Sequence, residues 1–452
     1  MVENVDVIVI GMGVGGETAA EALADEGLNV VGIEGKLVGG ECPYWGCIPS
    51  KMMIRAADLL AETGRVNGMA GSAGATPDWS PVATRIREEA TTDWDDTIAV
   101  ERFTGKGGRF VRGWGRLTGP GQVEVDGQTF VAARGVIIGT GTTPVIPPIP
   151  GLADTPYWTN RDAVETTRVP ESLLVLGGGA IGLELAQVFR RFGSEVTVVE
   201  AMDAILSVEE PESSQAARAA LEDDGATVHT GSKATRVSHD GETFTLDTDN
   251  GLSLSAERLL VAVGRRVELS GLGLDTVGLD PRARAIGVDE FLRAGEELWA
   301  VGDVTGHGAF THVATYQADI VVADILGRAT PGADYRALPR VTFTDPEIGA
   351  VGLTEAQARD AGLDVETGTA QIPSTARGWI HKKGNAGFIK LVVDADREVL
   401  VGATSAGPCG GEILGALSVA VHGEVPIGRL RHMIYAYPTF HRGIQDALRE
   451  LS

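Results

Sequence analysis

One pattern, written twice, constrains this chain more than anything else in it. The apolar run VDVIVI at 5 to 10 feeds straight into GMGVGG at 11 to 16, then into TAAEALADEG, then into NVVGIE, which ends in the acid Glu34. Farther on, ESLLVL leads into GGGAIG at 177 to 182, then into LELAQVFRRFG, then into EVTVVE, which ends in Glu200. Short apolar runs closed by glycine read as buried strands, and the alanine- and leucine-rich segments between them read as helices packed close to a sheet. Each copy therefore predicts strand, glycine turn, helix and strand. The repeat extends to the acids, because Glu34 follows Gly16 by eighteen residues and Glu200 follows Gly182 by eighteen.

Gly11, Gly13 and Gly16 fit the spacing G-x-G-x-x-G, and so do Gly177, Gly179 and Gly182. In such a turn the first glycine permits the bend, the second lets a pyrophosphate approach bare backbone, and the third lets helix and strand touch. The acid at the end of the next strand accepts from ribose hydroxyls. Two dinucleotide sites are expected. For the second, NADH is expected over NADPH. A 2′-phosphate needs a nearby Arg or Lys, but the first basic residue after Glu200 is Arg218, and the carboxylate itself repels phosphate.

At 452 residues the chain is long enough for about three domains of ~150 residues each. A net charge of −24 repels phosphate backbones and anionic lipid, so neither nucleic acid nor a membrane is an expected partner. No stretch reaches the roughly 18 uncharged apolar residues needed to span a bilayer, and VDVIVI begins so close to Met1 that no signal peptide is expected. Only Cys42, Cys47 and Cys409 are present, too few for a secreted disulfide framework, which points to the reducing cytoplasm.

Cys42 and Cys47 lie in GGECPYWGCIPSK, residues 39 to 51, with four residues between them. No second Cys or His pair follows at ligand spacing, so no metal site is expected. A thiol pair so near a phosphate-binding turn can instead exchange electrons with a flavin, one sulfur held as thiolate while its partner faces substrate.

With these residues in view the chain resembles the class I pyridine nucleotide-disulfide oxidoreductases, the family of dihydrolipoamide dehydrogenase, glutathione reductase and mercuric reductase. The resemblance rests on the C-x4-C segment, the paired glycine turns, VIIGTGTTP at 136 to 144 and LWAVGDV at 298 to 304, and it covers essentially the whole chain. GGGAIGLELAQVF with EVTVVEAMDAIL is most similar to dihydrolipoamide dehydrogenases. The resemblance implies that Gly11, Gly13, Gly16 and Glu34 hold the adenosine and pyrophosphate of FAD, that Gly115 contacts its adenine, and that Lys51 sits near flavin N5. It places Thr140 and Gly141 in a flavin motif, here Gly139-Thr140-Gly141. It also sets Asp303 on a ribitol hydroxyl, with Ala309, Phe310, Thr311 and His312 continuing that contact. For NADH it implies Gly177, Gly179, Gly182, Glu184, Glu200, Val237 and Gly264. Cys47 becomes the thiol beside the flavin and Cys42 the one that attacks substrate. Cys409 reads as a buried bystander. Tyr44 and Trp45, between the two cysteines, read either as a substrate wall or as packing.

The resemblance breaks near the end of the chain. Where disulfide-reducing members present His-Pro-Thr and a later Glu, this chain reads YAYPTFHRGIQDAL, with Tyr437 at the His position and Arg442 at the Glu position. A free tyrosine holds its proton to about pH 10 and a free histidine only to about 6.5, so a tyrosine here can donate a proton at neutral pH but hardly accept one. If PTFHRGIQDAL is a helix, His441 falls one turn after Tyr437 and can supply the lost base; the plainer reading is an exposed histidine at a helix start. Mercuric reductases also carry a tyrosine at this point, but they end in a vicinal cysteine pair, whereas no cysteine follows Cys409.

The expected fold is α/β: two Rossmann-like dinucleotide-binding domains plus a C-terminal α+β dimerisation domain. An FAD-binding domain is expected at 1–150 and 265–335, an NAD-binding domain at 151–264 and an interface domain at 336–452. The Tyr437 segment would reach the other subunit's cysteines, so a homodimer is expected. The leading functional expectation is an NADH-dependent flavoprotein passing electrons through FAD and Cys42–Cys47 to a small-molecule or disulfide acceptor. A diaphorase or quinone reductase, a mercuric-like metal-ion reductase and an assembly subunit of a multienzyme complex are the alternatives.

Overall fold

The computed structural model describes residues 2–451; Met1 and Ser452, the outer bounds of the first and last expected domains, lie outside them. The chain divides into two compact units. The first comprises 1–49, 84–145 and 265–334, and the second 50–83, 146–264 and 335–452.

In the first unit, Val7, Ile8 and Val9 of the strand Val2–Ile10 are fully buried, as expected for a strand covered on both faces. It pairs in parallel with Gln128–Ile138 on one side and Val30–Glu34 on the other. Leu298–Ala300 and Arg109–Arg112 extend the parallel sheet at its two ends. The helix Val14–Asp25 packs Ala19, Ala20 and Leu23 into the core beside this sheet. Its approach is so close that a Cβ on Gly16 would lie 2.0 Å from the carbonyl oxygen of Gly11.

The second unit repeats this arrangement. Ser172–Leu176, flanked by Glu195–Val199 and Arg258–Val261, is the middle of a parallel sheet that Thr227–His229 extends. The helix Ala180–Arg191 starts from the glycine turn, and a Cβ on Gly182 would lie 2.4 Å from the oxygen of Gly177. An antiparallel sheet then runs in the order 339–342, 347–352, 399–407, 388–394 and 365–371. The helix Gly410–His422 shares a core with it through Ile413, Leu414 and Leu417. The α/β class, with two Rossmann-like sheets and a C-terminal α+β portion, is the observed architecture.

Three local features differ from the sequence reading. Residues 50–83, expected with the FAD-binding halves, belong to the second unit, and the expected NAD-binding and interface regions share that unit. Side chains explain the placement of 50–83: Asp58 and Arg65 of the helix Cys47–Arg65 pair with Arg191 and Asp345, and Trp79 stacks on Phe189 and Phe192. The segment PTFHRGIQDAL is helical only over Gly443–Arg449, so Tyr437 and His441 do not share a helix. Pro438 disfavours helical backbone at the residue before it, and Phe440 turns inward to become buried. The strand EVTVVE ends at Val199, one residue short of Glu200.

The contact at the third glycine is a packing requirement. Gly16→Ala and Gly182→Ala are each expected to cost about 1–3 kcal/mol, the usual penalty for overfilling a tight site, measured as a lowered denaturation midpoint with unchanged slope.

Candidate active site

The glycines of each turn serve different masters. Gly11 has φ +90° and Gly177 φ +113°, and a Cβ on them would lie 2.6 Å from Gly139 O and 2.4 Å from Ala262 O, so the first glycine is required by the fold. Gly16 and Gly182 are required by the helix contact. The second glycine is not. A Cβ on Gly13 would meet only Gly139 O at an ordinary 3.8 Å, one on Gly179 would meet nothing within 4 Å, and both residues have φ values that alanine adopts freely. Their bareness leaves open space where each helix begins. Gly13 and Gly179 are the N-cap residues, and no side chain caps either helix. Uncapped first-turn N–H groups beside a bare backbone form an anion cradle.

The acids close the same loop in the same way. Glu34 accepts from the N–H of Met12 (2.8 Å) and of Lys36 (2.7 Å). Glu200 accepts from the N–H of Gly178 (2.6 Å) and of Met202 (2.7 Å). Each carboxylate thus joins the second residue of its glycine turn to the residue two places beyond itself, and each oxygen keeps acceptor capacity for a ribose hydroxyl. Thr140 Oγ1 is buried without a hydrogen-bond partner, next to the Gly139 carbonyl that faces Gly11. Such an orphan is costly unless a bound group satisfies it. Gly141, with φ +67°, has nothing within 4 Å of its Cβ position, whereas Gly115 is buried and packed on Ile10 and Ile33.

In the same unit Cys42 sits in the short helix Glu41–Tyr44, and Cys47 opens the helix Cys47–Arg65. The Cys42 thiol is pushed well above its ordinary range, first by its hydrogen bond to Cys47 and then by burial; Thr311 opposes the shift. Cys47 Sγ lies 3.3 Å from Thr311 Oγ1. Thr311 begins the helix Thr311–Ile325, with the ring of Phe310 stacked on that of His312 at 5.2 Å and Ala309 exposed just before them. Asp303 accepts from Thr142 Oγ1 at 2.7 Å, and burial raises its carboxyl above the usual range. Because Arg265 Nε donates to the same hydroxyl at 2.9 Å, the proton of Thr142 is directed at Asp303. Arg265 also faces Glu41, the neighbour of Cys42, at 3.7 Å. Thr142, Arg265 and Glu41 were not singled out by sequence.

In the second unit, Lys51 and Glu184, expected to serve two different cofactors, form one ion pair at 2.9 Å. The Lys51 ammonium also lies 4.5 Å from the ring centroid of Phe343, whose N–H donates to Glu184. Val237 is buried in the core with Leu176, Val199 and Phe244, and its N–H donates to Pro150 O. The Cβ position of Gly264 faces open space. Tyr437 is 67% exposed, with the Arg442 guanidinium 5.1 Å from its ring centroid. His441 is 3.5 Å from Thr439 Oγ1 and its ring is 6.4 Å from that of Tyr435. Cys409 is half-buried before the helix Gly410–His422, its thiol pushed up by burial. Tyr44 is buried, and its phenol is raised to about 12 by burial and the carboxylates of Asp96 and Glu17. Among the described residues, no helix is long and apolar enough to cross a membrane.

The sequence profile described as pyridine nucleotide-disulphide oxidoreductase matches residues 5–318, and that of the family's dimerisation domain matches 338–448. The chain belongs to this family. A mercuric reductase of Streptomyces lividans is 34% identical over 98% of this chain and 95% of its own length. A dihydrolipoyl dehydrogenase of Thermus scotoductus is also 34% identical, over 99% and 97%. Among solved structures, the Cu(II) complex of the HOCl-induced flavoprotein disulfide reductase RclA from Escherichia coli superposes with a TM-score of 0.87 at 26% identity, over 99% of both chains. Family membership implies FAD and a pyridine nucleotide, and the dimerisation-domain match supports a homodimer. The uncapped glycine cradles, the two ribose-side acids and the orphaned Thr140 hydroxyl fit such ligands.

The second glycines give a test that separates ligand from fold. Gly13→Ala and Gly179→Ala should keep stability within about 0.5 kcal/mol. Overfilling the cradle should weaken FAD binding for the first and pyridine nucleotide binding for the second, each by about tenfold or more. Thermal melts and equilibrium titrations check both halves.

Proposed function

We propose that this enzyme is an NADH-dependent flavoprotein disulfide reductase in which Cys42 and Cys47 cycle between dithiol and disulfide to reduce a small disulfide or lipoyl-like acceptor. The observation that carries this reading is the placement of Cys42 and Cys47 on consecutive helices, with Cys47 Sγ 3.3 Å from Thr311 Oγ1, within the unit that holds the first glycine cradle.

FAD would be held by Gly11, Gly13, Gly16, Glu34, Gly115, Thr140, Gly141, Asp303 and the run from Ala309 to His312, with Lys51 as its expected neighbour. The nicotinamide cofactor would be held by Gly177, Gly179, Gly182, Glu184, Glu200, Val237 and Gly264. When bound, FAD supplies two-electron exchange between the nicotinamide and sulfur. NADH is favoured because Glu200 presents a carboxylate and because Arg218 is already engaged by Glu222, Thr230 and the Val228 carbonyl.

The chain's own chemistry is thiol–disulfide exchange. Cys42 as thiolate attacks one sulfur of the acceptor and releases the first thiol. Cys47 as thiolate then attacks the Cys42 sulfur, closes the Cys42–Cys47 disulfide and releases the second thiol, so the two protons of the dithiol end on the two products. The raised Cys42 thiol makes its deprotonation the demanding step. Tyr437, offered from the partner subunit with Arg442 against its ring, is suited to return a proton to a leaving thiolate. His441 is the candidate for a base, and a cytoplasmic setting suits reactive thiols.

A second reading is favoured by one specific observation. The relatives include mercuric reductases and a neighbour captured with Cu(II), and a C-x4-C thiol pair with a tyrosine at the histidine position suits a thiophilic metal ion as the electron acceptor.

Anaerobic titration with NADH should produce a long-wavelength absorbance band from a thiolate beside the flavin, and Cys47→Ser should lack it. The NADH-reduced enzyme should then turn over a small disulfide or lipoamide, with loss of at least a hundredfold in Cys42→Ser. Turnover with Hg(II) or Cu(II) alone would select the metal reading. Equal quinone turnover by wild type and Cys42→Ser, with no disulfide reduced, would overturn both.

A further inference from the structure

Two helices are joined by charge at two levels in the second unit. Lys51 of the helix Cys47–Arg65 pairs with Glu184 of the helix Ala180–Arg191 at 2.9 Å, and seven residues farther along both, Asp58 pairs with Arg191 at 2.7 Å. Seven residues are about two helical turns, or about 10.5 Å of rise, so the helices lie side by side, in the same direction and in one register. The two rungs differ in firmness. The Lys51 side chain is 36% exposed and ends a flexible stem, and one such ion pair holds a lysine weakly. Arg191 is 5% exposed and directs every guanidinium nitrogen at a carboxylate: Nη1 at Asp58, Nε at Asp224 and Nη2 at Asp345, the last two at 2.8 Å. Arg65, at the far end of the first helix, donates to the same Asp345 oxygen. The N–H groups of Phe343 and Asp345 donate to Glu184 and Gln187.

We propose that Asp58 and Arg191 are positioning residues for the reaction with nucleotide: the buried rung fixes the register of the two helices and so holds the Lys51 ammonium in one place. The inference rests on the redox reading above, in which Lys51 is the expected neighbour of FAD, and adds the groups that keep it there. Burial raises the Asp58 carboxyl to about 6 while Arg191 opposes the rise, so at neutral pH Arg191 meets a carboxylate. Without the Asp58 charge, Arg191 keeps Asp224 and Asp345, and the helix Ala180–Arg191 stays anchored. The helix Cys47–Arg65 is then tied at its end through Arg65 and near its start only through the exposed Lys51 pair. Lys51 can drift from Glu184. The step that its charge assists, transfer of a hydride with two electrons from NADH to FAD to leave NAD+ and reduced flavin, slows. The bare backbone at Gly179, where the nucleotide would bind, is untouched.

The test is anaerobic stopped-flow reduction of the holoenzyme by NADH, followed at the flavin absorbance and fitted for a limiting rate and a dissociation constant, with thermal melts to show that each variant is folded. Asp58→Asn should lower the limiting rate about tenfold while the dissociation constant stays within about twofold, because the misplaced charge acts on the transfer and not on nucleotide binding. Made in a Lys51→Met background, the same substitution should add no more than about twofold, since Asp58 acts only through Lys51. If Asp58→Asn does not fold, Arg191→Lys, which keeps the charge but cannot reach three carboxylates, should give the same pair of results. A limiting rate within about twofold of wild type, a loss that appears in the dissociation constant instead, or a full further loss in the Lys51→Met background overturns the assignment. A wild-type flavin that NADH does not reduce overturns the redox reading, and this inference with it.

Discussion

Two helices begin against strand ends with no side chain between them, and the rest of the molecule is arranged around that contact. At Gly16 and Gly182 a single methyl group would collide with the carbonyl of the turn. A left-handed glycine at the start of each turn sends the chain back so that the helix can lie on its own sheet. The consequence is electrostatic as much as steric. The first turn of each helix is left bare at Gly13 and Gly179, its N–H groups uncapped, and the acid at the end of the next strand ties the loop down through backbone hydrogen bonds. One backbone solution thus builds two anion cradles, and the fold supports two nucleotides because it repeats the solution.

The second feature that matters is how sulfur is held. Cys42 comes from a short helix and Cys47 from the start of the longer helix that follows it, but the group that meets Cys47, Thr311, comes from a helix 264 residues beyond it. In the same unit, Arg265, Thr142 and Asp303 form a directed chain of donors and acceptors beside Glu41. The cationic Lys51, one turn along the helix from Cys47, is spoken for by Glu184.

What could be read from the sequence is what is local. Glycine spacing, strand endings and the two acids act through neighbours in the chain, and the glycine turns, helices and sheets stand where the pattern put them. The thiol pair was legible for the same reason. Long-range pairings were not. Nothing in the spacing joins Lys51 to Glu184 or Thr142 to Arg265, because such contacts depend on which strands become adjacent. Segment 50–83 was grouped by position in the chain, whereas Asp58, Arg65 and Trp79 tie it to the second unit. A helix over PTFHRGIQDAL, on which a base role for His441 depended, is interrupted where Phe440 turns inward, and only Gly443–Arg449 is helical. Val237, carried over by resemblance, has its side chain in the core.

The central claim is that electrons leave the flavin through Cys42 and Cys47 and through no other sulfur. Its most direct test is differential alkylation read by mass spectrometry on the oxidised enzyme and on the same enzyme after one equivalent of NADH under anaerobic conditions. The account predicts that Cys42 and Cys47 pass together from blocked to alkylated while Cys409 stays unchanged. Bleaching of the flavin with no change at either of those two cysteines would contradict it.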